Sequence, residues 1–272
     1  MRPFLALALV MGLGAQSGAS LETMLELCSN PNRSAAEALQ SCKALAAQDR
    51  LPAEQQALVW QNVGQAALEL DRNGEAAQAY GRALGLLPDL VTAFLGRAEA
   101  RAALGLTAPA RADYDAAIAR APEVAEAWFA RGVLSLSTDA PEDAVADFTK
   151  AAELDPDWTP PLFNRGIAEL ARGDADAAAR DFSAVIALEP ADAGAHLNRA
   201  RARAILEDPA AAADFDRAVE LAPEWSDALL ARGHYREEQG ATEAANEDFL
   251  RAYQLGASNP WLIERVRQIS KG

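Results

Sequence analysis

The sequence predicts an all-α chain built as a row of helical hairpins, and three observations predict it. Half of the residues are hydrophobic but only 6% are aromatic. That balance, reached with Ala and Leu, favours helix and leaves little β-branched or aromatic material for strands. Pro88, Pro122, Pro156 and Pro190 lie 34 residues apart, Pro223 follows after 33, and Ala257 takes the next place after another 34. A fixed period of this length marks a repeat architecture. Between these landmarks stand turn formers: Gly105, Gly173 and Gly240, with Asp139-Ala140-Pro141 and Glu207-Asp208-Pro209 replacing the Gly elsewhere.

The chain opens on an address. Arg2 gives a positive start, Phe4 to Leu13 form an apolar run, and residues 14–19 are small or polar. This pattern predicts a secretory signal peptide over 1–19, cut after Ala19, with Ala15 as the other candidate and an uncleaved anchor or the apolar start of a cytosolic helix as the alternative readings. The run falls short of the roughly 20 residues that span a bilayer, and no later segment approaches that length. A periplasmic or secreted mature chain follows, with no membrane insertion after cleavage.

Residues 20–56 are expected to form an N-terminal helical hairpin. Cys28 and Cys42 are the two cysteines, and between them Ser29-Asn30-Pro31-Asn32-Arg33-Ser34 supplies turn formers. Helix, turn and helix bring the two side chains together, and an oxidising compartment keeps them bonded. A disulfide closing this loop stabilises by about 3 kcal/mol in the chain-entropy model. A redox or metal role needs a closer pair or further ligands, and the sequence offers neither.

Residues 57–256 carry the repeat. Twelve residues before each landmark lie Ala76, Ala110, Ala144, Ala178, Ala211 and Ala245; eight before lie Tyr80, Tyr114, Phe148, Phe182, Phe215 and Phe249. Near the start of each unit stand the small residues Gly64, Ala98, Gly132, Gly166, Ala200 and Gly233. Two antiparallel helices approach closely only where facing side chains are small, and a ring at one fixed site fills the remaining gap. Each unit therefore reads as helix, turn, helix and a stop at Pro. After the last unit, 257–272 reads as a C-terminal capping helix, with Trp261, Ile263 and Val266 covering the open end and Glu264, Arg265, Arg267 and Gln268 facing water.

These positions resemble the tetratricopeptide repeat, whose pattern places a bulky residue fourth, a small one eighth, Ala twentieth, an aromatic twenty-fourth, Ala twenty-seventh and Pro thirty-second. Six units match over 57–256; the first departs in its turn, where Gly74 is displaced, and the sixth has Ala257 in place of Pro. The resemblance implies a right-handed α-solenoid, with the Cys hairpin at one end and the capping helix at the other. The paired cysteines before the repeats also resemble an arrangement in exported bacterial members of the family.

One recurrence is read as structural. Arg97, Arg131, Arg165, Arg199 and Arg232 share one place in units two to six, and Asp113, Asp147, Asp181, Asp214 and Asp248 share a later one. The first unit has Val63 and Ala79 there and lacks both. An ion-pair ladder explains why Arg and Asp are kept or dropped together; an Arg row held ready for a phosphate or carboxylate partner is the alternative.

The resemblance places binding on the concave face built by the first helices. There the fifth and ninth positions, one turn apart, carry Gln61 and Gln65, Leu95 and Glu99, Phe129 and Val133, Phe163 and Ile167, Leu197 and Arg201, and Leu230 and His234. The candidate partner-binding groove is Phe129, Val133, Phe163, Ile167, Leu197, Arg201, Leu230 and His234, an apolar centre with polar flanks suited to a protein or peptide segment. The alternative is that neighbouring helices cover these side chains. Asn62, Asn164 and Asn198 either bond a peptide backbone or tie helices together. The Lys-and-Asn carboxylate clamp of chaperone-binding relatives is missing, since Lys43, Lys150 and Lys271 are the only lysines.

Other function classes are disfavoured. With 25 Lys+Arg against 40 Asp+Glu the net charge is −15, which opposes a nucleic-acid partner. No phosphate loop, dinucleotide turn, metal-ligand spacing or placed nucleophile is present; His196 sits at a bulky core position, and no cofactor, metal or catalytic residue is expected. The expected function is a non-enzymatic interaction scaffold or adaptor of the bacterial cell envelope, with a structural or oligomerisation module as the alternative.

Overall fold

The computed structural model describes Thr23, Glu26, Cys28, Asn30 and residues 32–48 and 51–270. The expected signal peptide and its cleavage after Ala19 lie outside the described residues. Within them the chain is all α-helix and no strand occurs. The helices are α1 (Ala35–Ala46), α2 (Ala53–Glu69), α3 (Asn73–Leu86), α4 (Val91–Ala103), α5 (Thr107–Arg120), α6 (Ala125–Ser137), α7 (Pro141–Leu154), α8 (Thr159–Ala171), α9 (Ala175–Leu188), α10 (Ala193–Ile205), α11 (Ala211–Leu221), α12 (Ser226–Glu238), α13 (Thr242–Gln254) and α14 (Pro260–Ile269). They fall into two compact units, one reaching to Leu134 and one starting at Ser135.

Local chemistry sets the helix ends. Ser34 caps α1 in a reciprocal box with Glu37, and Asp174, Asp192 and Asn259 accept from the backbone N–H three residues on at 3.1, 2.8 and 2.8 Å. Each satisfies a donor that the first helical turn leaves without an intrahelical partner. Pro141, Pro160 and Pro260 occupy first turns, where a missing N–H is harmless. Pro88, Pro122, Pro156, Pro190 and Pro223 each stand two residues beyond the end of a second helix.

The turn inside each hairpin needs one left-handed residue. Gly105, Gly173 and Gly240 supply it at φ of 73°, 86° and 80°, while Asp71, Asp139 and Glu207 adopt 55°, 58° and 55° at the corresponding place. The first hairpin therefore turns at Asp71, and Gly74 lies inside α3.

In the first unit, Cys28 and Cys42 form a disulfide with Cα atoms 4.7 Å apart. Both are buried, together with Leu39 and Leu45 of α1, in a cluster that continues through Val59 and Val63 of α2 to Tyr80 of α3 and Phe94 of α4. A second cluster joins Ala98 of α4, Ala110 and Tyr114 of α5, and Leu134 of α6.

In the second unit, Phe182, Phe215 and Phe249 are buried among Ala178, Ala200, Ala202, Ala211, Ala228 and Ala245. The fit of ring to small residue is tight: a Cβ added to Gly166 would lie 2.8 Å from Phe182 Cζ, and one added to Gly233 would lie 2.6 Å from Phe249 Cε1. Each buried ring contributes about 2 kcal/mol of transfer free energy, available only because the facing residue carries no side chain. Leu262 of α14 is fully buried in the same cluster as Phe249, with Val266 and Ile269 beside it. Trp261, expected to cover that end, is 43% exposed and stacks edge-on against Phe249 at 5.0 Å.

Candidate groove and the arginine clamps behind it

The expected ladder takes a definite form. Arg97, Arg165, Arg199 and Arg232 each donate from Nε and Nη2 to the two carboxylate oxygens of Asp113, Asp181, Asp214 and Asp248, at 2.6–3.0 Å. Each pair joins the first and second helices of one hairpin. The remaining nitrogen reaches back to the preceding second helix: Arg165 Nη1 to Thr149 Oγ1 at 3.2 Å, Arg199 Nη1 to Ser183 Oγ at 3.2 Å and Arg232 Nη1 to Asp216 Oδ1 at 3.0 Å. Arg131 Nη1 meets Asp115 in the same way at 2.5 Å. The equivalent residue behind Arg97 is Gly81, which has nothing to offer, and a Cβ there would sit 4.0 Å from Arg97 Nη1. Arg165, Arg199 and Arg232 are thus clamps both within a hairpin and to the one before it. The bond to Asp181 raises the affinity of Arg165 for its proton.

A second Arg, one turn along the first helix, strengthens three of these sites. Arg101, Arg203 and Arg236 donate to Asp113, Asp214 and Asp248 at 2.5, 2.6 and 2.9 Å. In α8 that place belongs to Glu169, which the sequence reading passed over. Glu169 is 7% exposed, and its Oε2 meets no hydrogen-bond partner among the described residues. Burial, with the Asp181 carboxylate adding to it, pushes its pKa up to about 7. His196 is a packed ring, as its position implies: Nε2 lies 3.2 Å from the Pro190 carbonyl and Nδ1 lies 3.6 Å from Asp214 Oδ1.

In the first unit the residues expected on the inner face divide by chemistry. Phe129 is half-buried on α6, Val133 is 42% exposed there, and Leu95 packs against the core. The polar residues are engaged internally. Gln61 accepts from Thr92 at 2.6 Å, and Gln65 donates to Glu69 at 3.1 Å and accepts from Tyr80 at 3.3 Å. Burial raises the pKa of Glu99.

In the second unit Phe163 meets Phe182 edge to face at 5.5 Å, and Phe163, Ile167 and Leu170 are partly buried against that ring and Ala178. Leu197 is 1% exposed; it supports α10 from beneath and offers no surface. Arg201 is exposed and donates to Asn198 Oδ1 at 3.3 Å. Leu230 is half-buried, and His234 is exposed between Phe249 at 5.2 Å and Trp261 at 4.5 Å. Asn164 and Asn198 turn their amides back onto their own helix, to Pro160 O at 2.9 Å and Gly194 O at 3.0 Å. One turn beyond Arg201, Ile205 is 65% exposed, the most exposed large apolar residue among those described.

Residues 95–157 and 163–224 match the tetratricopeptide repeat family. The hairpins within those residues are tetratricopeptide repeats. Repeats of this kind serve as protein-interaction scaffolds, because stacked hairpins present an extended face. The chain is similar to a tetratricopeptide repeat protein from Parabacteroides merdae, at 24% identity and a TM-score of 0.66, covering 92% of this chain and 98% of that one. It is similar also to the C-terminal part of a repeat-containing protein from Cytophaga hutchinsonii, at 17% identity and a TM-score of 0.75, covering 90% and 99%. A third likeness is to YrrB, described as a tetratricopeptide protein with an unusual peptide-binding site, at 23% identity and a TM-score of 0.58, covering 65% and 91%. At these identities the likeness is one of fold. No curated protein matches the chain. None of its described helices is long and apolar enough to cross a membrane.

Proposed function

We propose that the protein is a non-enzymatic scaffold of the bacterial cell envelope that holds a segment of a partner polypeptide on the inner faces of its first helices. One observation carries the reading. Phe163, Ile167 and Leu170 keep apolar surface partly open on α8, although the Arg165 clamp on the same helix is closed at both ends. The polar clamp and part of the apolar surface hold the hairpin, and the rest of the apolar surface is open. In the second unit Leu230 and His234 of α12 extend the proposed surface, and in the first unit Phe129 and Val133 of α6 offer a partly open apolar surface of their own. The peptide-binding site of YrrB supports this reading by analogy of fold.

Export is supported by two features. Cys28 and Cys42 are bonded, which an oxidising compartment favours, and the apolar run from Phe4 to Leu13 has the character of a signal. The proposed mature protein comprises the disulfide hairpin to residue 56, six repeats over 57–256 and the terminal helix over 257–272.

The experiment is crosslinking of the full chain in its native envelope, with identification of the trapped polypeptides. A Phe129→Glu/Phe163→Glu variant that stays helical should lose them. Recovery of the same polypeptides by that variant would move binding off this face.

A further inference from the structure

We infer that the face of α10 recognises an internal acidic side chain within an apolar segment of the partner, Arg201 taking the carboxylate and Ile205 the apolar neighbour. This rests on the groove reading proposed above and adds the partner's chemistry to it.

Arg201 is out of place electrostatically. Every other Arg on the first helices α4 to α12 meets an Asp, through the clamps set out above. Arg201 meets none. Its bond is to the neutral amide oxygen of Asn198 at 3.3 Å, and that amide is held in turn by the Gly194 carbonyl at 3.0 Å. One guanidinium nitrogen is thereby steadied, and the other donors are left without a protein partner among the described residues. In a chain of net charge −15, acidic groups are abundant, yet Glu237 of the following first helix is taken by Arg265 at 2.5 Å. A guanidinium fork with an open edge matches a carboxylate through two parallel bonds.

Ile205 supplies the second oddity. It lies four residues after Arg201 and so shares its side of α10, and it is 65% exposed. A bare apolar side chain one turn from an unpaired Arg is complementary to an acidic residue flanked by an apolar one. On the preceding first helix Phe163 lies against the start of α10, where a Cβ added to Gly194 would lie 3.4 Å from its ring. On the following one His234 takes the place equivalent to Arg201. Inner-face residues on either side of Arg201 suit a segment that runs past it rather than one that ends there, so the carboxylate is that of an internal Asp or Glu.

The test is selection from a displayed library of random twelve-residue segments, joined to the carrier at both ends so that no terminal carboxylate is presented. The baits are the full-length protein, Arg201→Gln, Arg201→Glu and Phe163→Glu, each confirmed helical by circular dichroism. The wild type should enrich apolar segments carrying one Asp or Glu. Arg201→Gln should lose the acidic preference while still taking apolar segments, and Arg201→Glu should exchange it for Lys or Arg. A selected segment should bind Arg201→Gln roughly tenfold more weakly than the wild type. Apolar segments enriched without an acidic residue, or the same acidic motif enriched by Arg201→Gln, would overturn this inference and leave the groove reading standing. Enrichment of nothing, or equal enrichment by Phe163→Glu, would overturn the groove reading and this inference with it.

Discussion

Arg165 and Asp181 meet through two parallel hydrogen bonds, Nε to Oδ2 and Nη2 to Oδ1, both 2.6 Å long. The pair joins α8 to α9, with the Arg side chain 20% and the Asp 10% exposed. Cutting one partner from a pair this buried leaves the other charge without its counterion, a larger loss than the pair's own net contribution. Arg165→Ala should therefore destabilise the protein by about 3 kcal/mol. Its melting temperature should fall below that of Arg165→Ala/Asp181→Ala, which removes both charges. An unchanged melting curve for the single variant would reject the clamp as a stabilising element.

Beside that clamp, Glu169 gives the second unit a pH dependence of definite sign. The groups acting on it are Asp181 and Asp174, which disfavour its ionised form, and Arg165 and Arg172, which favour it; burial outweighs them all and raises the pKa from 4.5 to about 7. A raised pKa means that the folded state holds the proton longer than the unfolded chain does. The stability tied to that proton is fully present below pH 4.5 and is lost as pH rises through about 7. Glu169→Gln should abolish that loss, gaining on the order of 2 kcal/mol relative to the wild type at pH 8 and little at pH 4. Melting temperatures of both proteins from pH 4 to 8 measure it, and parallel curves would refute the shift.

The repeat was legible because close helix packing is a matter of register. Ala178, Phe182 and Gly166 must recur wherever one hairpin is built like the next, and a 34-residue ruler finds them. The Arg and Asp columns were legible for the same reason, though which helix each Arg would reach was not: the bidentate bond stays within the hairpin, and the single bond goes back to Thr149, Ser183 or Asp216. Leu197 was read as groove surface and is buried, since position on an inner face does not fix how deep a short first helix sits. Glu169 was missed because its column reads Ala67, Arg101, Ser135, Glu169, Arg203 and Arg236, where Arg takes three of the six places and Glu one. Its meaning comes from its relation to Asp181, which only the folded hairpin creates. Arg201 became informative for the reverse reason, by lacking the carboxylate that its neighbours have.

The left-handed turn residues yield a stabilising substitution. Glu207 holds φ of 55°, a conformation in which Cβ crowds the following carbonyl and which costs a non-Gly residue about 1 kcal/mol. Gly173 and Gly240 fill the same place at 86° and 80° without that strain. The Glu207 side chain is exposed, and its backbone N–H, which bonds the Ala204 carbonyl at 3.1 Å, is retained by Gly. Relief of strain is partly offset by the greater freedom of Gly in the unfolded chain, so Glu207→Gly should gain about 0.5 kcal/mol. Glu207→Ala tests the cause, because Ala keeps the Cβ and should show no gain. A rise in melting temperature shared equally by both variants would assign the effect to the lost charge and not to the backbone.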